Sequence, residues 1–503
     1  MPVRSAPLLW KQLLQRSAHE NLSLQGRIRE MLVSAILDGR IAPGAPLPSG
    51  REMADQLSVA RNTVVLAYKQ LSDEGFLQSR QRSGHFVNPE FVAGQHAAPK
   101  QGGRGYSGVQ ASTNWHTRLR LRTTAQRSIQ KPADWQKFPY PFLYGQFDAS
   151  LFPTANWREC CLKALSVLDI RDWAPDHINR DDDSLVQQIR TRVLPRRGVW
   201  AATDEIMVTV GAQHAMYLVA DLLIGEDSRV ALEDPGYPDA RNIFARRTPH
   251  LLPIAVDHHG LPIDRRLDHV DYLYVTPSHQ CPTGVTMPLE RRLELLRRAD
   301  ERDFIIIEDD FEGENRFGGD PIPALKSLDR NNRVIYIGSL SKSWAPGLRL
   351  GYIVAPPELI AEFRALRRLM LRHPSAFIQR AFALFLSLGH HDFQMRRIAL
   401  AHNERCRAML DALAQHAPQC EITPIVGGGS CWVRLPDGLS TSTLQQQAAA
   451  KGVLLEPGDV FFFSTPAPGS FLRLGFQSIP NEAIGPGIAI LGQVIRSLQG
   501  RGL

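Results

Sequence analysis

Five short apolar runs, at 206–210, 230–232, 272–275, 304–307 and 334–337, punctuate the middle of this chain. Between them lie stretches with helical spacing, such as 214–223 and 289–301. Runs without polar alternation are buried on both faces, and connections of helix length favour parallel pairing. This part of the chain is therefore predicted as an α/β fold with a parallel sheet. Ligands of such sheets lie beyond the carboxyl ends of the strands, so the residues after each run carry the functional signal.

After the first run, Gly211-Ala212-Gln213-His214 turns into a helix, whose free N–H groups can cradle a phosphate. After the second, Glu233-Asp234-Pro235-Gly236-Tyr237 places a ring at the sheet edge, for packing or for stacking on a flat ligand. The third leads into the constrained polar loop 276–284, which contains His279, Gln280 and Cys281. The fourth ends in Glu308-Asp309-Asp310. Side chains alternate along a strand, so Asp309 points opposite to its neighbours and can hold a ring nitrogen protonated; a magnesium site is the rival use of three acids. The fifth leads to Lys342, set among Ser, Leu, Trp and Pro, with Arg349 seven positions on. A desolvated lysine is a usable amine nucleophile. Together these suggest pyridoxal phosphate on Lys342 as a Schiff base, with its phosphate on Arg349.

At 503 residues, length predicts several domains, and 43% apolar with 22% charged residues is a globular composition. No apolar run reaches the roughly 20 residues of a membrane span, and the first ten residues lack a signal-peptide core. Six cysteines without a CxxC pair argue against a zinc site or a disulfide framework, so no metal and a cytoplasmic setting are expected. The net charge of +7 is uneven: +3 over residues 1–90, +7 over 91–137 and −3 over the rest. That polarity suits a polyanion near the N-terminus, or a basic solvated tether.

Residues 24–36 carry apolar side chains three and four apart, and Gly39 ends the pattern. Ser49 can cap a second helix at 51–57, and a third is predicted from Arg61 to Glu74. Two short strands, 76–79 and 85–87, flank a basic turn. Three helices and a hairpin make a winged helix-turn-helix. Arg61, Asn62 and Thr63, opening the third helix, can reach guanine, adenine and phosphate. Ser49 and Arg51 sit at a helix start near the backbone, and Arg80, Arg82 and Gly84 form the wing.

The segment "LPSGREMADQLSVARNTVVLAYKQLSDEGFLQSRQRSGHFV" resembles the DNA-binding domain of GntR-type regulators. The body, through "GAQHAM", "EDPGYP", "PSHQCPTG", "EDDFEGE", "SLSKSWAPGLRLGY" and "LRLGF", resembles fold type I pyridoxal-phosphate proteins of the aspartate-aminotransferase kind. The combination resembles the MocR-type transcription regulators. The resemblance implies an internal aldimine at Lys342 and Asp309 on the pyridine nitrogen. It implies Ala212, Gln213, Ser339, Ser341 and Arg349 around the phosphate, Tyr237 against the ring and Arg473 on a ligand carboxylate, with His279 or Gln280 near the cofactor. It also implies a homodimer, a double-stranded DNA operator, and an amino-acid or amine effector sensed by aldimine exchange. The alternative is an active class I/II aminotransferase with an appended DNA-binding domain. Two positions depart from the enzyme pattern: Cys281 replaces an Asn and Phe311 a Tyr, both of which bond the cofactor's ring oxygen in the enzymes. The expected organisation is an N-terminal extension (1–20), a winged helix (21–90), a flexible basic linker (91–138) and an aminotransferase-like body (139–503), divided near 365.

Overall fold

The computed structural model describes residues 10–16, 22–80, 84–90, 114–313, 323–342 and 344–500. It separates into two units, Met1–Leu119 and Arg120–Leu503.

The first unit contains α1 (Trp10–Arg16), α2 (Leu24–Leu37), α3 (Gly50–Leu57) and α4 (Arg61–Asp73), then strands β1 (Leu77–Arg80) and β2 (Gly84–Val87). α2 starts where Ser23 Oγ accepts the Gly26 N–H at 3.2 Å. It buries Ile28, Met31, Leu32, Ala35 and Ile36, the face its spacing predicts. α3 starts with a reciprocal cap between Ser49 and Glu52. α4 turns Val64, Ala67, Tyr68 and Leu71 inward, and the Tyr68 hydroxyl donates to the Pro48 carbonyl at 3.0 Å. That bond ties the third helix to the turn before the second. β1 and β2 pair antiparallel, with Leu77 opposite Val87.

The second unit is built on a seven-stranded sheet. In chain order the strands are β3 (Ile206–Thr209), β4 (Val230–Asp234), β5 (Leu251–Ala255), β6 (Tyr272–Val275), β7 (Ile305–Asp310), β8 (Val334–Ser339) and β9 (Gly351–Val354). Their spatial order is β3-β9-β8-β7-β6-β4-β5. All neighbours are parallel except β9, which runs against both β8 and β3. Alternation divides each strand between two cores. Leu232, Tyr274 and Ile307 pack with α5 (Gly211–Leu223) on one face. Ala231, Leu273 and Ile306 pack with α6 (Leu289–Arg302) on the other. The five expected strands are present; β7 runs three residues further and β8 two, which carries Asp309 and Ser339 within the sheet.

A smaller antiparallel sheet follows, from β10 (Glu421–Ile422), β11 (Ser430–Arg434), β12 (Glu456–Pro457) and β13 (Phe471–Gly475), ordered β10-β11-β13-β12. Its core joins Leu472 and Leu474 to Met409, Leu413, Ile488 and Leu491 on two long helices, α7 (His390–His416) and α8 (Asn481–Gln499). Residues 127–131, inside the stretch expected to be linker, are held on the body. The Arg127 guanidinium donates to Thr465 Oγ1 at 2.8 Å, and the Asn242 amide donates to the Arg127 carbonyl at 2.9 Å. Among the described residues, no helix is long and apolar enough to cross a membrane.

Candidate cofactor pocket and nucleic-acid interface

Arg61 and Asn62 are exposed in the first turn of α4, with Thr63 half-buried beside them. No side chain caps this helix at Ala60, so its amino end is open to a phosphate. Arg51 is exposed on α3. Ser49 is exposed too, but its hydroxyl accepts the Glu52 N–H at 3.3 Å, so it serves as a cap. The Arg80 guanidinium lies 4.6 Å from the centre of the Phe86 ring. Gly84 has φ +94°, a backbone conformation that favours glycine. Arg82 lies outside the described residues.

In the second unit, the carboxyl ends of β4, β7 and β8 open on a cavity of about 250 Å³. Asp309, Lys342, Ser339, Ser341, Arg349, Ala212, Gln213, Tyr237 and Arg473 all line it. Residues from 212 to 473 are thus gathered in one place. His279 is not in that wall: it is buried, with Nδ1 3.9 Å from where a Cβ on Gly428 would stand.

The acidic triplet divides as strand alternation requires. Glu308 accepts the N–H groups of Leu325 and Lys326, each at 2.8 Å. Asp310 takes Arg197 Nε at 2.7 Å and the Tyr336 hydroxyl at 2.7 Å. Both are spent on protein partners, so the three acids do not converge on a cation. Asp309 faces the cavity instead. Its Oδ2 accepts the Tyr274 hydroxyl at 2.7 Å, and no described residue hydrogen-bonds its buried Oδ1. Burial pushes its carboxyl up to about 6, against the opposing pull of Tyr274 and the Lys342 charge.

Lys342 sits just past β8. Its N–H donates to Ser339 Oγ at 3.2 Å, and Ser341 Oγ accepts the Leu350 N–H at 3.2 Å. Trp344 anchors the turn, stacked on Phe385 with centroids 4.9 Å apart. The Lys342 ammonium lies 5.3 Å from the Tyr144 ring centre and 5.8 Å from that of Phe311. Gly211 opens α5 at φ +74°, and a Cβ there would come within 3.2 Å of the Arg349 guanidinium carbon. The absent side chain lets Arg349 lie against the helix start, where it donates to the Val210 carbonyl at 3.3 Å. Gln213 and the Tyr237 hydroxyl both donate to Asp239 Oδ2, at 3.1 and 3.2 Å. Burial pushes the Cys281 thiol up to about 12, so it faces the cavity as a neutral group.

Arg473 is 3% exposed, with its guanidinium 4.3 Å from the Tyr144 ring centre and 4.6 Å from that of Phe461. Its Nε and Nη2 bond Glu456 Oε2 at 2.8 and 2.7 Å. Glu456 is its partner across β12 and β13, so sheet register sets up the pair. The protein itself therefore occupies the edge of the arginine expected to grip a ligand. Lys131, Tyr144 and Glu456 were not singled out by sequence reasoning. In sequence Lys131 is one more basic residue of the linker, with no local signal of its place in the cavity wall.

These features define a class: a fold type I pyridoxal-phosphate body with a winged helix in front. The pocket residues fit that cofactor. A lysine amine, a buried carboxylate with an open oxygen for a pyridine N–H, and a helix start beside an arginine meet in one cavity. Residues 24–87 match the family described as "Bacterial regulatory proteins, gntR family", and residues 183–485 match "Aminotransferase class I and II". The chain is 41% identical over 476 residues to the HTH-type transcriptional regulator TauR of Rhodobacter capsulatus, across 94% of this chain and 97% of that one. It is 30% identical over 496 residues to the probable rhizopine catabolism regulatory protein MocR of Rhizobium meliloti, across 97% of each. Among solved structures it resembles LysN, an alpha-aminoadipate aminotransferase of Thermus thermophilus complexed with N-(5'-phosphopyridoxyl)-L-leucine. That likeness has a TM-score of 0.68 and 28% identity, over 77% of this chain and 100% of that one. The chain belongs to the MocR-type family, in which a gntR-family winged helix is fused to an aminotransferase-like, pyridoxal-phosphate-dependent body.

Proposed function

We propose that this protein is a DNA-binding transcription regulator whose body senses a primary amine, an amino acid in particular, through pyridoxal phosphate held at Lys342. The observation that carries the reading is the open oxygen of Asp309 across the cavity from Lys342, in a chain that also exposes Arg61 and Asn62 at an open helix start. Bound in the cavity, the cofactor supplies an aldehyde carbon that exchanges one amine for another. The chain's own residues do the rest. Lys342 supplies the resting amine, and Asp309 holds the proton of the ring nitrogen. Gly211, Ala212, Gln213, Ser339, Ser341 and Arg349 receive the phosphate, and Tyr237 bounds the ring.

Phe311 brings no hydroxyl near Lys342, and Cys281 brings a neutral thiol in place of an amide. Both favour recognition over turnover. The enzymatic alternative rests on Lys342 and Asp309 lining one cavity, and robust steady-state amino transfer to pyruvate or 2-oxoglutarate would establish it. A homodimer in the cytoplasm, reading paired half-sites of an operator, completes the proposal. It is tested by titrating the cofactor-loaded protein with amino acids and amines while recording its visible absorbance. A saturable band shift supports sensing; an unchanged spectrum with every compound refutes it.

A further inference from the structure

The anion-receiving end of the cavity holds a group from an unexpected part of the chain. Lys131, half-buried, places its ammonium 3.6 Å from Glu456 Oε1 and donates to the Tyr144 carbonyl. Arg473 holds the other oxygen of the same carboxylate. Two cations therefore share one anion. Two further carboxylates are buried nearby: Asp309 in the cavity wall, and Glu312, which accepts from the Gln477 amide at 2.8 Å. The Lys131 and Lys342 amines also flank one small space: a Cβ on Gly145 would lie 3.6 Å from the first and 3.9 Å from the second. Gly145, at φ +73°, leaves that space open.

Lys131 is held there by the residues just before it in the chain. Arg127 is bonded to Thr465 and, through its carbonyl, to Asn242, while Ile129 packs with Cys281, Trp432, Phe461 and Phe462. The remaining nitrogen of Arg473, Nη1, lies 4.0 Å from Cys281 Sγ, another residue of the cavity wall. Lys131 and Arg473 both line the cavity, so two cations that already share one carboxylate present donors to an acidic group bound there.

From this arrangement we infer that Lys131 is an effector-binding residue that receives the acidic group of an amino acid together with Arg473. The inference rests on the sensing role proposed above and narrows it: the effector is an amine bearing an acidic group, not a simple amine. Glu456 marks the geometry, since one carboxylate already spans both cations. Because residue 131 lies on the stretch that leads back in sequence to the winged helix, the effector would bind directly to the connecting segment.

The test uses the full-length, cofactor-loaded protein and three pairs of probes: alanine with ethylamine, β-alanine with ethylamine, and 4-aminobutyrate with propylamine. Affinities are read from the visible absorbance shift. Wild type is expected to favour the acid of at least one pair by about tenfold or more. Lys131→Met is expected to reduce that preference by about 10- to 100-fold, the worth of a hydrogen bond between charged groups, with amine affinity unchanged. Lys131→Arg, which keeps the charge, should retain most of it. A Lys131→Met variant with the wild-type preference, or one that loses acid and amine equally, would overturn the inference while leaving the sensing role standing. A wild-type spectrum that answers none of the probes would refute the sensing role for these compounds, and the inference with it.

Discussion

Asp309→Asn should stabilise the cofactor-free protein and weaken its hold on the cofactor, two effects of opposite sign from one atom. The Asp309 carboxyl titrates near 3.8 when unperturbed and is pushed up to about 6 in the fold, chiefly by burial. A raised carboxyl binds its proton more tightly when folded. Its cost is therefore absent below about pH 4, grows as pH rises through the folded value, and is complete above about pH 7. The difference corresponds to roughly 3 kcal/mol at neutral pH. Asparagine removes the charge and keeps an acceptor for the Tyr274 hydroxyl. For a unit of this size, that is an increase in Tm of about 4 °C at pH 8, shrinking toward zero near pH 4. With pyridoxal phosphate the sign reverses, because the charged carboxylate is what a protonated ring nitrogen needs; cofactor affinity should fall about 10- to 100-fold. Thermal unfolding of wild type and variant, with and without cofactor at pH 5 and pH 8, measures all of this. A variant less stable than wild type at pH 8 without cofactor, or one binding cofactor equally well, would refute the electrostatic account.

Other substitutions probe the rest of the structure. Arg61→Ala should weaken operator binding about tenfold or more and, where the contact is to phosphate, reduce the salt slope by about one, both measurable by fluorescence anisotropy. Leu71→Ala, at a fully buried position in α4, should cost about 2–5 kcal/mol and abolish DNA binding while the cofactor absorbance survives. Asp181→Ala removes the carboxylate that holds the fully buried Arg367 at 2.6 Å and Arg364 at 2.8 Å. An unpaired buried guanidinium costs about 3–5 kcal/mol, so the body should melt about 5 °C lower by calorimetry.

Much of the site was legible because its parts lie at the ends of apolar runs. The period of two along β7 settles which of Glu308, Asp309 and Asp310 enters the cavity, and the structure agrees. Gly211 and Arg349 were visible as a turn and a cation, yet their contact depends on a missing Cβ that only the fold reveals. Lys131, Tyr144 and Glu456 were hidden because each is ordinary in its local context. They meet through the packing of 127–131 on the body and the register of β12 with β13. The strand β5 was obscured by Pro253, tolerated because β5 lies at the sheet edge, and β9 by its place after the lysine turn. His279, in a polar loop, looked well placed for the cofactor, but the loop turns it toward Gly428.

Operator affinity measured against amino-acid concentration, in wild type and Lys342→Ala with pyridoxal phosphate present, tests the central claim most directly. The account predicts that the amino acid shifts wild-type affinity by about 5- to 150-fold, the usual range of coupling between two sites, and leaves Lys342→Ala unmoved. An equal shift in both proteins would contradict it.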